Sequence, residues 1–91
     1  MGLRIKANTF LMKRYLEVDS GGVTFCETAF AGGARRFGFH EIDCVLLSET
    51  HVLSFQVKQE VFRLPTRPDK EKHQRVIDTL IYEVRRAAGG G

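Results

Sequence analysis

Apolar and polar residues alternate from the start of the chain, with Leu3, Ile5 and Ala7 set against Arg4 and Lys6. A period of two puts the two sets on opposite sides of a strand and predicts a sheet with one dry face. The alternation continues from Phe10 to Val18, where Leu16 and Val18 oppose Tyr15 and Glu17. Asp19-Ser20-Gly21-Gly22 then predicts a turn, because Gly tolerates positive φ and Asp accepts bonds from its own backbone. A returning strand follows from Val23 to Phe30, Gly32-Gly33 breaks it, and Arg35 to His40 resumes extended with Phe37 and Phe39 on one face. Beyond an acidic bend at Glu41 and Asp43, Cys44 to Leu47 reads as a short strand. His51 to Val57 places Leu53, Phe55 and Val57 on one side, Lys58-Gln59 turns the chain, and Glu60 to Leu64 aligns Phe62 with Leu64.

The period changes after Pro65. Val76, Ile77, Leu80, Ile81 and Val84 recur at helical spacing and form an apolar stripe. Thr66 and Asp69 predict a capping pair around Pro68, whose missing N–H suits a first turn. Arg85 and Arg86 complement the negative end of the helix dipole, and Gly89-Gly90-Gly91 ends the element in a flexible tail. The pattern predicts an α+β, mainly β fold: about seven short antiparallel strands over 3–64, forming a partly open barrel, and one C-terminal amphipathic helix over about 69–87. Parallel βαβ units would need intervening helices, for which the chain has no room.

Ninety-one residues support a single domain, here 1–88 with a tail at 89–91. The apolar share of 43% is ordinary for a globular chain. A net charge of +3 is spread over interleaved acids and bases, so nucleic acid is not an expected partner. Cys26 and Cys44 lie in apolar strand-like runs, are too few for a disulfide framework and are expected as buried, reduced thiols in a cytoplasmic protein. Met1 to Lys6 leads into polar residues, so no secretory signal is expected, and no apolar run approaches the ~20 residues that span a bilayer.

Seven short strands followed by one helix resemble the pleckstrin-homology superfold, in particular its bacterial PH-like and GRAM-like members. The resemblance is carried by the hairpin Lys13-Arg14-Tyr15-Leu16-Glu17-Val18-Asp19-Ser20-Gly21-Gly22-Val23-Thr24-Phe25 and by Phe39-His40-Glu41-Ile42-Asp43-Cys44-Val45. It implies a barrel whose open end is plugged by the helix. The chain departs from the lipid-binding subset of that family: it has no Trp, and its first hairpin turn is acidic where phosphoinositide binders carry a basic cluster. Likeness of fold supplies no function by itself.

Candidate chemistry is sparse. Cys26, His40, Cys44 and His51 offer two sulfurs and two imidazoles, but only His40 and Cys44 approach zinc-knuckle spacing, so no metal site is expected. Cys44 sits beside Asp43, whose carboxylate opposes thiolate formation, and Glu41 and Asp43 on a bend serve more simply as caps for backbone N–H groups. Gly21-Gly22 and Gly32-Gly33 do not precede a helix as phosphate cradles do. No enzyme and no cofactor are expected. Arg85-Arg86-Ala87-Ala88-Gly89-Gly90-Gly91 is similar to a ubiquitin-like conjugation tail, but that fold places its helix between strands.

The expected function is therefore that of a PH-like binding or scaffold domain acting through protein–protein contacts, as a monomer or weak dimer. The alternative is contact with an anionic membrane surface through the loop Ala29-Phe30-Ala31-Gly32-Gly33-Ala34-Arg35-Arg36, where Phe30 would supply an apolar tip and Arg35 and Arg36 a basic base. Against this, strand alternation sends adjacent arginines to opposite faces. RNA binding, the third reading, requires exposed aromatic residues, whereas Phe25, Phe37, Phe39, Phe55 and Phe62 are patterned as core.

Overall fold

A computed structural model describes residues 2–8, 13–27 and 33–89. Four strands form one sheet in sequence order: β1 (Leu3–Asn8), β2 (Lys13–Asp19), β3 (Gly22–Glu27) and β4 (Ala34–Phe37). Three form a second: β5 (Cys44–Leu47), β6 (Val52–Val57) and β7 (Glu60–Pro65). Every neighbouring pair is antiparallel, and one helix, α1 (Glu71–Ala88), follows. The expected fold class stands: α+β, mainly β, with seven strands and a C-terminal helix. Among the described residues no ladder joins the two sheets, so they do not close into a barrel; β1 and β4 edge one sheet, β5 and β7 the other.

The register follows from the alternation. Leu16 opposes Phe25 and Val18 opposes Val23, so all four enter the core together. The β2–β3 turn is closed by Asp19, whose Oδ1 accepts the N–H groups of Gly21 and Gly22 at 2.8 and 3.0 Å. Gly22 has φ +153°, and a Cβ there would collide with the carbonyl of Phe37, so only glycine lets β4 end so close to β3. Between β6 and β7 the two-residue turn Lys58-Gln59 follows the pair Val57–Glu60, with Lys58 left-handed at φ 57°.

Phe25, Phe37, Phe55 and Phe62 meet between the sheets, with Phe55 stacked on Phe62 at 5.1 Å and Phe25 edge-on to Phe55 at 5.7 Å. Geometries of this kind add about 0.5–1.5 kcal/mol each beyond simple area burial. The helix lays Val76, Ile77, Leu80 and Val84 against this cluster. It touches β1, β2, β5 and the turn at Phe39–Glu41, covering the open side between the two sheets.

Four expectations are corrected. The stretch Arg35–His40 is not one strand: β4 ends at Phe37, and Phe39–Glu41 coil into a 3-10 turn because the Glu41 carboxylate accepts the Gly38 N–H at 2.6 Å. The helix begins at Glu71, not 69, since a turn closed by the Lys70 N–H on the Arg67 carbonyl at 3.1 Å comes first. Thr66 and Asp69 do not cap it. Lys70 occupies that position without a side-chain bond, and the buried Thr66 instead donates its N–H and hydroxyl to the His51 carbonyl at 2.8 and 2.6 Å. Cys44 is not buried, because β5 turns its even-numbered side chains outward, and Cys26 is only partly covered. The expected strand residues Phe10–Met12 and Thr28–Phe30, and tail residues Gly90 and Gly91, lie outside the described residues.

Candidate functional site

Of the residues singled out as a contact, Phe30 lies outside the described residues. Arg35 and Arg36 do leave β4 on opposite sides, and each is held by a carboxylate. Arg35 forks onto Glu60 of β7, Nη1 to Oε2 at 2.7 Å and Nη2 to Oε1 at 2.9 Å. Its guanidinium carbon lies 5.4 Å from the ring centre of Phe37 and 5.2 Å from that of Phe62. Arg36 forks onto Asp19 at 2.8 and 2.9 Å and also donates to Thr24 Oγ1 at 3.0 Å.

These pairs set the local electrostatics. The Arg36 bond, followed by the Gly21 N–H, holds the Asp19 carboxyl down from 3.8 to about 2. Arg35 lowers Glu60 in the same way. Two adjacent cations that look available in the sequence thus have their charge offset within the domain.

The sulfurs and imidazoles are not brought together. Cys26 lies on β3 of the first sheet and Cys44 on β5 of the second, with its Sγ donating to Gln56 Oε1 at 3.8 Å. Among the described residues no three His, Cys, Asp or Glu side chains gather as a metal cluster. Glu41 and Asp43 act as caps, Glu41 for Gly38 N–H and Asp43 for Lys58 N–H at 2.9 Å. Among the described residues no helix is long and apolar enough to cross a membrane.

The least expected surface is β5 and the outer face of its sheet. Register places Cys44, Gln56 and Val61 in one row and Leu46, Ser54 and Arg63 in the next. With Phe55 they line a shallow depression of about 220 Å³. Leu46 is 65% exposed, Val61 45% and Leu47 40%, large apolar side chains left in water on a chain this small.

The outer backbone of β5 is not taken up by a strand among the described residues, although α1 approaches it. The Ser48 N–H donates to the Val52 carbonyl at 3.0 Å, which sets the ladder phase. Antiparallel alternation then directs the peptide groups of Cys44 and Leu46 to β6 and those of Val45 and Leu47 away from it. Among the described residues no strand lies on that outer side. The other three edges carry charge or proline: Arg4 and Lys6 on β1, Arg35 and Arg36 on β4, Glu60, Arg63 and Pro65 on β7. Such residues deter a further strand from pairing. Cys-Val-Leu-Leu on β5 has none of them. The sequence held a signal for this: in Leu46-Leu47 strict alternation forces one leucine outward.

No family model, curated protein or solved structure matches the chain.

Proposed function

We infer that this is a PH-like, non-enzymatic binding domain of the cytoplasm that acts through protein–protein contact, taking an extended partner strand along β5. The order of four strands, three strands and a covering helix supports the PH-like reading. The two free thiols suit a reducing compartment. The observation that carries the function is the contrast among edges. Three are blocked by charge or proline, and the fourth combines backbone groups that meet no strand among the described residues with the exposed Leu46. A strand added there gains main-chain hydrogen bonds for affinity and a contact with the exposed Leu46 for specificity.

The membrane reading has less support, because the two arginines it relies on are each paired with a carboxylate. The experiment is selection of random heptapeptides on the wild-type domain and on Leu46→Lys, which places a charge on the open edge at an exposed position. Peptides retained by wild type and lost by Leu46→Lys, with unchanged thermal unfolding, are expected. An empty selection, or binders indifferent to the substitution, would refute the reading.

A further inference from the structure

The chemistry of the partner can be read from the charge along this edge, an argument that rests on the β5 docking reading above. The chain carries 14 Lys and Arg, yet none lies between Phe37 and Val57. That interval holds Glu41, Asp43 and Glu49. Asp43 immediately precedes β5, Glu49 follows it by two positions, and all three are exposed. The one edge without a blocking charge is therefore bracketed by carboxylates on an otherwise basic molecule.

We propose that the strand accepted at β5 is a basic one: an extended segment with an apolar residue at its centre and Lys or Arg on both sides. Main-chain bonds would form through Val45 and Leu47, the two residues whose peptide groups face outward. The central side chain would then sit beside the exposed Leu46 on the outer face of the sheet. Cations flanking that centre would meet Asp43 at one end and Glu49 at the other. A second copy of this chain is the wrong occupant. Antiparallel self-pairing centred on Leu46 would set Asp43 of each copy against Glu49 of the other, like charges face to face. An anionic lipid surface is repelled for the same reason.

The test is an NMR titration of the labelled domain with two blocked heptapeptides, KKTVTKK and EETVTEE. The lysine peptide should shift the Val45 and Leu47 amides and bind about tenfold more tightly than the glutamate peptide, with the difference shrinking as salt rises. In the double variant Asp43→Asn, Glu49→Lys, where Asn keeps an oxygen for the Lys58 N–H, the preference should vanish. Equal or tighter binding of the glutamate peptide at the same amides would overturn the basic partner while leaving β5 docking intact. If neither peptide moves those amides, both readings fall. Concentration-dependent protection of Val45 and Leu47 without peptide would put a second copy there and overturn the proposal.

Discussion

Arg35 on β4 and Glu60 on β7 bridge the two sheets through a two-pronged ion pair at 2.7 and 2.9 Å. Among the described residues no backbone ladder joins the sheets, so this pair is a polar tie at the corner opposite the helix-covered side. The guanidinium also lies over the Phe37 and Phe62 rings.

That double role makes the two partners unequal. Arg35→Ala should destabilise the domain by about 1 kcal/mol, since it removes ring packing as well as the ion pair. Glu60→Ala should cost less, because Arg35 can stay over the rings. Urea midpoints of the two variants check the order, and equal losses would mean that ring packing contributes nothing.

Leu80 is fully buried where α1 meets the sheets. Leu80→Ala should cost about 2–5 kcal/mol, the range for buried leucine truncations. A denaturation midpoint that does not move would show that the helix is not seated on the core.

Asp19 gives the domain an acid-sensitive turn. Its folded pKa of about 2 lies below the ordinary 3.8, so the stabilisation is complete above pH 3.8 and is lost as pH falls through about 2. Asp19→Asn keeps an acceptor for the turn but not the charge for Arg36. Its unfolding curve should be flatter than wild type over that window, as followed by circular dichroism.

His73 acts at milder pH. Its Nδ1 accepts the Arg67 N–H at 3.0 Å, which requires that nitrogen to be unprotonated. Burial, then the charges of Lys70 and Arg67, lower its pKa below 6.5. Stability from this group is therefore full above pH 6.5 and declines as pH falls through the lower folded value. His73→Gln should reduce the slope of thermal midpoint against pH just below 6.5; an unchanged slope would remove His73 as its source.

Much of the fold was legible because it rests on periodicity. Ile5, Leu16, Phe25, Phe55 and Leu64 are buried where a period of two places them, and Val76, Ile77, Leu80 and Val84 where the helical period does. Local misreadings arose where a side chain found a distant partner. Thr66 resembles a helix cap in sequence, but its hydroxyl is taken by His51, 15 residues away. Arg35 and Arg36 resemble a free basic pair, yet their carboxylates come from 25 and 17 residues away. The β5 edge escaped notice for a related reason. Whether a strand is central or at an edge depends on pairing order, and Cys-Val-Leu-Leu is equally suited to either place.

Amide hydrogen exchange across β5, in the free domain and with a peptide selected on it, tests the central claim most directly. In the free domain the Val45 and Leu47 amides should exchange much faster than that of Leu46, which is tied to β6. With the peptide bound, Val45 and Leu47 should become protected while the β1, β4 and β7 edges stay unchanged. Slow exchange of Val45 and Leu47 in the free domain, or binding that protects another edge, would contradict the account.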